Sequence, residues 1–135
     1  TLEEIKNYIR MLLKKIIGVR DTISGRRYSD IIEIAKDQIR KTYMSDEISL
    51  NTVAAEVGMS PSYFSSIFSK EMGKTFVEYL TEIRMDRAKE LLMCSSMKTS
   101  EIGYEVGYKD PHYFSYIFKK TQNCTPKEFR ARGKE

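Results

Sequence analysis

The chain has 135 residues and a formal net charge of +4, which is long enough for one helical domain with its own core and a small appendage. With two cysteines and one histidine, the composition offers neither a zinc cluster nor a His-based catalytic dyad, so we predict no metal, no cofactor and no enzyme activity. No apolar run is long enough to span a membrane and no signal peptide is evident, which favours a cytoplasmic protein without membrane contact.

Three further features concern the partners of the protein, the extent of the chain and the reactivity of its cysteines. A sequence pI of about 9.0 favours anionic partners. Because the first residue is Thr1 rather than Met, we expect the chain to be a fragment of a longer protein. The remaining enzymatic alternative is a cysteine nucleophile at Cys94 or Cys124, which would need a base beside it. We expect both cysteines to be packed or idle thiols instead.

The first 24 residues carry apolar side chains at alternating intervals of three and four, which predicts a helix with a heptad seam. The seam consists of Leu2, Ile5, Ile9, Leu12, Ile16, Val19 and Ile23. We predict that residues 1–24 form a connector helix that pairs with a second copy into a homodimer. Alternatively the helix packs on the next domain of its own chain, because Leu13 and Ile17 widen the apolar stripe. The Ser-Gly-Arg-Arg run at residues 24–27 predicts a break after this helix.

Seven more helices are predicted downstream, and no segment has the pattern of a strand, so we predict an all-α fold. The predicted spans are residues 28–43, 50–57, 61–72, 75–94, 99–107, 111–121 and a short helix from 125. Ser49, Ser60 and Asp110 are the predicted N-caps of three of these helices, because their side chains can accept hydrogen bonds from free backbone N–H groups.

An internal repeat is the most informative feature of the sequence. Residues 50–79 recur in weaker form at residues 99–129. Both copies contain Pro-x-Tyr-Phe-Ser-x-Ile-Phe, beginning at Pro61 in the first copy and at Pro111 in the second. A single match of this kind would be weak evidence, but two matches with the same continuation indicate duplicated structural units.

Each copy has the pattern of two short helices around a glycine turn. A small residue, Ala54 or Gly103, lies where the second helix would cross the first, and the turn glycine, Gly58 or Gly107, follows four residues later. This is the pattern of a helix-turn-helix unit, and two units in one chain predict a protein that contacts DNA twice.

The second helix of each unit is predicted to enter the major groove with its N-terminus first. The candidates for reading base edges are Ser62, Ser65, Ser66, His112, Ser115 and Tyr116. Serine hydroxyls discriminate weakly between bases, whereas His112 and Tyr116 offer larger surfaces for stacking or for contact with thymine methyl groups. Because no arginine lies among these positions, we expect modest specificity or a site rich in A·T pairs.

A second set of polar residues flanks the reading helices and is predicted to contact DNA phosphates. This set comprises Ser60, Tyr63, Lys70, Lys74, Lys109, Tyr113, Lys119 and Lys120. The alternative for the lysines is an ordinary solubilising role. Arg84 and Arg87, in the helix between the two copies, are equally compatible with structural ion pairs and with phosphate contacts.

At these motifs the chain resembles the DNA-binding domain of the AraC/XylS transcription regulators. The resemblance covers residues 28–132 and is most specific at EVGYKDPHYFSYIFKK followed by TPKEFR. It implies seven helices in two subdomains, residues 28–95 and 96–132, joined by the helix at 75–94. It further implies sequence-specific binding of double-stranded DNA in successive major grooves, and transcription activation through RNA polymerase.

The upstream heptad helix resembles the connector of YesN-like response regulators, which implies a receiver domain before this chain. A sugar-binding cupin or a membrane sensor is the alternative. Because the reading helices lack arginine, a helical protein–protein docking module built from degenerate helix-turn-helix units also stays open as the function.

Overall fold

The computed structural model describes residues 1–17 and 22–133, and the side chains of residues 13–17 and 22–26 lie outside the description. Within the described ranges all regular structure is helical, which confirms the all-α prediction. Eight helices follow one another there: α1 Leu2–Ile17, α2 Thr22–Thr42, α3 Leu50–Glu56, α4 Pro61–Met72, α5 Phe76–Cys94, α6 Thr99–Glu105, α7 Pro111–Gln122 and α8 Pro126–Gly133. None of the described helices is long and apolar enough to cross a membrane.

One predicted helix break is absent from the structure. The predicted break at residues 24–27 is wrong, because α2 begins at Thr22 and runs through these residues. A single glycine inside a helix costs only about 1 kcal/mol relative to alanine, so Gly25 alone does not end a helix that is anchored further along by packing. The described part of the connector helix α1 runs from Leu2 to Ile17, and residues 18–21 lie outside the described residues.

The predicted heptad seam is described only in part. The first four seam residues lie on α1 with exposed side chains, whereas Val19 and the side chains of Ile16 and Ile23 lie outside the described residues. The exposed fractions are 71% for Leu2, 57% for Ile5, 48% for Ile9 and 39% for Leu12.

Two hydrophobic clusters form the core, and α5 belongs to both. The first cluster packs α2, α3 and α4 against the beginning of α5, with Phe64 and Phe68 at its centre. The second packs α6, α7 and α8 against the end of α5, with Phe114 and Phe118 at its centre. Full burial of one such phenylalanine is worth about 1.5–3 kcal/mol relative to exposure, so each cluster can hold its own group of helices.

Side-chain N-caps begin α3, α4 and α7, as the sequence predicted. Ser49 accepts a hydrogen bond from the Thr52 N–H at 3.2 Å and begins α3, and Ser60 accepts from the Tyr63 N–H at 3.3 Å and begins α4. Asp110 accepts from the His112 N–H at 2.9 Å and begins α7. Pro61 and Pro111 each occupy the first turn, where the missing N–H costs nothing.

Candidate DNA interface

The first helix-turn-helix unit consists of α3, the turn at Gly58 and α4. Ala54 is fully buried where α4 crosses α3, and its carbonyl accepts a hydrogen bond from the Met59 N–H at 2.9 Å. Gly58 adopts a φ of +73°, a left-handed conformation that favours glycine. Phe64, on the inner side of α4, is fully buried and fixes α4 against the core.

The second unit, formed by α6, the turn at Gly107 and α7, repeats this geometry. The Tyr108 N–H donates to the Gly103 carbonyl at 2.9 Å, the same bond that Met59 makes to Ala54 in the first unit. Gly107 has a φ of +111°. At Gly103 the two helices approach so closely that a Cβ atom would lie 3.1 Å from the Phe114 ring. The duplication in the sequence is therefore a duplication of backbone structure.

The outer face of α4 presents hydroxyl groups. Ser62 and Ser66 are exposed and Ser65 is half-buried, so the three base-reading candidates of the first unit share one side of the helix. Each hydroxyl can donate or accept a hydrogen bond, which makes this face compatible with several base edges.

The outer face of α7 is larger and more aromatic. His112 and Tyr116 are exposed and Ser115 is half-buried. Tyr113 is also exposed, and its ring lies 5.8 Å from Tyr108 and 6.4 Å from Tyr116, measured between centroids. The Lys120 amino group lies 5.8 Å from the Tyr116 ring centroid, within range of a cation–π interaction. This cluster offers apolar area and hydrogen-bond donors side by side.

The predicted phosphate-binding lysines fall into two groups. Lys70, Lys119 and Lys120 are exposed at the C-terminal ends of the two reading helices. Lys74 and Lys109 are each held by a carboxylate. The Lys74 amino group lies 2.7 Å from Glu82, and this hydrogen bond raises the pKa of Lys74. Lys109 lies 2.9 Å from Asp46, although it is largely exposed.

The two candidate phosphate-binding tyrosines have different surroundings. The Tyr63 hydroxyl makes a hydrogen bond with the Tyr28 hydroxyl from α2, and the two rings meet edge to face at 6.2 Å. Burial and the bond to Tyr63 raise the pKa of Tyr28 to about 12. Tyr63 is half-buried by this pairing, whereas Tyr113 on α7 is exposed.

The two arginines of α5 also separate. Arg87 pairs with Glu90 at 3.1 Å on the surface, so the ion-pair alternative holds for this residue. Arg84 is buried and donates to backbone carbonyls, which neither sequence-based alternative anticipated. Arg130, which sequence reasoning missed, does the same on α8 and donates to the Leu92 carbonyl at 3.0 Å. Its position in the last turn of a short basic helix gave no signal of this role.

The remaining candidate chemistry is sparse. Cys94 is a free, exposed thiol and Cys124 a free, buried one. Among the described residues, no group of three or more His, Cys, Asp or Glu side chains could hold a metal ion.

Comparison with known proteins agrees with this geometry. A family model described as a helix-turn-helix domain matches residues 53–132. The crystal structure of the C-terminal domain of the two-component response regulator yesN from Fusobacterium nucleatum superposes with a TM-score of 0.72 at 35% sequence identity, covering 73% of this chain and 95% of that one. The chain belongs to the AraC/XylS family of transcription regulators and corresponds to the DNA-binding domain of that family.

Full-length relatives are longer than this chain. An uncharacterised HTH-type transcriptional regulator of Pseudoalteromonas carrageenovora is 37% identical over 100 residues, which cover 74% of this chain and 58% of that protein. The arabinose operon regulatory protein of Escherichia coli is 35% identical over 127 residues, covering 90% of this chain and 41% of that protein. The chain thus spans about half the length of these AraC/XylS relatives.

Proposed function

We propose that the chain binds double-stranded DNA sequence-specifically by placing α4 and α7 in two successive major grooves, as the output module of a bacterial transcription regulator. One observation carries the proposal. Both helices bury one face in their own cluster and expose polar side chains along the first two turns of the other face, at Ser62 and Ser66 and again at His112 and Tyr116. The N-terminal turns of a recognition helix are the part that reaches base edges.

The charge distribution supports the same orientation. Exposed lysines lie at the C-terminal ends of α4 and α7, where they can contact phosphates on the groove walls while the N-terminal turns reach the bases. The N-terminal caps differ in charge, since Ser60 is neutral and Asp110 is acidic. We therefore propose that Ser60 and Lys70 contact phosphates in the first unit, and that Tyr113, Lys119 and Lys120 do so in the second.

The two units are proposed to contribute unequally to specificity. The serines of α4 accept several base edges, whereas His112 and Tyr116 on α7 combine a donor, a ring and apolar area. Contact between the Tyr116 ring and thymine methyl groups would favour A·T-rich sequence in the second half-site. Since bacterial DNA lies in the cytoplasm, we propose that compartment for the protein.

The experiment is selection of binding sites from a random pool of double-stranded DNA. We expect enrichment of two submotifs separated by about one helical turn of 10–10.5 base pairs. A control carrying Ser62→Ala, Ser66→Ala, His112→Ala and Tyr116→Ala should keep its melting temperature and lose the motif. If no motif is enriched and duplex binding is insensitive to salt, the protein–protein docking module becomes the better description, because phosphate contacts release counterions.

We also propose that α1 pairs with α1 of a second copy to form a dimer. The seam residues with described side chains are apolar, occur at heptad spacing and are exposed in the single chain. A coiled-coil partner helix would bury these side chains. Sedimentation equilibrium should show a dimer that Ile9→Asp converts to a monomer. Ile34→Asp on α2, where the isoleucine is 60% exposed, is the matched control and should leave the dimer intact. A monomeric wild-type chain would refute the pairing.

For the whole protein, we propose transcription activation through contact with RNA polymerase and a receiver domain that precedes the connector. The AraC/XylS family membership supports the first, and similarity to the C-terminal domain of a response regulator supports the second. We divide the chain into the connector and two subdomains at residues 28–95 and 96–132, because each hydrophobic cluster falls within one of them, apart from the end of α5. Transcription in vitro from a promoter carrying the selected site would test the activator role.

A further inference from the structure

A buried arginine lies where the second helix-turn-helix unit meets the segment between α2 and α3. Arg84 is in the middle of α5, between Leu80 of the first cluster and Met85 of the second, and only 8% of its surface is exposed. Its Nε donates to the Tyr43 carbonyl at 2.9 Å and its Nη2 to the Ser45 carbonyl at 2.9 Å. Both carbonyls belong to the segment between α2 and α3, so Arg84 ties α5 to the segment that leads into the first unit.

The other side of the same guanidinium faces the second unit. Its central carbon lies 4.9 Å from the centroid of the Tyr108 ring, just after the turn of that unit. At Gly107 the backbone is packed so tightly that an added Cβ would lie 2.6 Å from the Tyr43 carbonyl oxygen and 2.9 Å from Arg84 Nε. The turn of the second unit is therefore in direct contact with the end of α2 and with Arg84.

The chemistry of this junction requires arginine. The planar guanidinium donates in its own plane to two carbonyls while its face packs on an aromatic ring, and a lysine ammonium cannot do both. An ion pair between Lys109 and Asp46, at 2.9 Å, closes the rim of the same junction. These four contacts join three separate stretches of chain at one point.

We propose that Arg84 is a positioning residue that fixes the orientation of α7 relative to α4 and so selects the spacing between the two DNA half-sites. The inference rests on the proposed DNA binding, but Arg84 itself acts through the protein interior. One base pair of added spacing moves a half-site by about 3.4 Å and rotates it by about 35°. A rigid junction cannot follow that change, whereas a loosened one can.

The first test measures spacing preference. Duplexes carrying the two selected submotifs at the preferred spacing, and one base pair longer or shorter, are compared by affinity. We expect the wild-type preference, on the order of tenfold per inserted base pair, to fall at least threefold in Arg84→Gln, with affinity for a single submotif changed less than about twofold. Arg84→Lys should be intermediate. Arg87→Gln, which removes a surface ion pair on the same helix, should keep the wild-type preference.

The second test needs no DNA. Spin labels at Ser69→Cys on α4 and Lys119→Cys on α7, in a Cys94→Ser background, report the distribution of distances between the reading helices. We expect a narrow distribution in the wild-type background and a broader one with Arg84→Gln. An unchanged distribution together with an unchanged spacing preference in folded Arg84→Gln would overturn the proposal.

The two readouts separate the possible failures. If the wild-type chain binds no duplex, the proposed DNA binding fails, and the label distances alone still decide whether Arg84 fixes the orientation. If Arg84→Gln does not fold, Arg84→Lys carries both measurements, since it keeps the stem and the charge and loses the fork. A folded Arg84→Lys that behaves as wild type in both would refute the assignment.

Discussion

The two helix-turn-helix units have the same backbone geometry, but their turn glycines have different surroundings. An added Cβ at Gly58 would have no atom within 4 Å, so only its positive φ requires glycine. At Gly107 the same turn also packs against the Tyr43 carbonyl and Arg84. The repeated turn position requires glycine only for its positive φ in the first unit. In the second unit it requires glycine both for its positive φ and for close packing, because only the second turn lies at the junction.

Their outer surfaces differ as well. In the first unit Tyr63 is bonded to Tyr28, and the reading face of α4 carries small hydroxyl groups. In the second unit Tyr113 and Tyr116 are exposed beside His112. The first unit is therefore anchored to the preceding helix. We expect its hydroxyl groups to discriminate less between bases than the aromatic face of the second unit does.

The largest effect is expected from alanine at the two turn glycines. Gly58→Ala introduces an unfavourable φ in open space and should lower the free energy of unfolding by about 1–2 kcal/mol. Gly107→Ala adds a collision with backbone and with Arg84, and should cost about 3 kcal/mol or more. Denaturant unfolding of both variants measures the difference. Equal losses in the free energy of unfolding would show that the residues around Gly107 move aside without cost, and the two turns would then not differ in their need for glycine.

The next effect concerns base selectivity. Replacing both His112 and Tyr116 by alanine should relax the preference in the second submotif, by about 1–3 kcal/mol for each base pair that these side chains read. Ser62→Ala with Ser66→Ala should change the first submotif less. Selection from a random duplex pool compares the two double variants. An unchanged second submotif would refute the assignment of these residues to base reading.

A smaller effect is expected where the paired helices cross. Gly103→Ala places a Cβ 3.1 Å from the ring of Phe114, which is fully buried and cannot move freely, so the variant should lose about 1 kcal/mol of stability. Ala54→Gly in the first unit should lose about the same, because glycine weakens helices. Thermal unfolding of each variant provides the measurement. A stabilised Gly103→Ala would show that the crossing of α6 and α7 has room for an alanine, as the crossing of α3 and α4 has for Ala54.

The smallest effect separates exposed lysines at the helix ends from a lysine held by a carboxylate. Lys119→Gln should reduce the slope of log affinity against log salt by about 0.9, the value for one phosphate that is no longer neutralised. Lys74→Gln should reduce it less, because the Lys74 amino group is held 2.7 Å from Glu82. Titrations of a selected duplex at several salt concentrations decide the order. The reverse order would place Lys74, rather than Lys119, against the DNA.

Sequence reasoning predicted the local features well. The caps at Ser49, Ser60 and Asp110, the left-handed turn glycines and the helix linking the two units all follow from interactions within a few residues. It predicted a break at residues 24–27 where the structure has helix, because the Ser-Gly-Arg-Arg pattern is locally typical of a break while packing further along α2 sustains the helix.

The sequence by itself determined the all-α fold and the duplicated units, because periodicity, capping and turn chemistry are encoded over short stretches. Its motifs also carried the resemblance to the AraC/XylS family. Only the tertiary structure decided that the Tyr63 hydroxyl forms a hydrogen bond with the Tyr28 hydroxyl, 35 residues away. The same holds for the hydrogen bond from Arg84 to the Tyr43 carbonyl, 41 residues away. Contacts at such separations arise from how whole helices pack, and no local pattern distinguishes a buried arginine at a junction from one facing solvent.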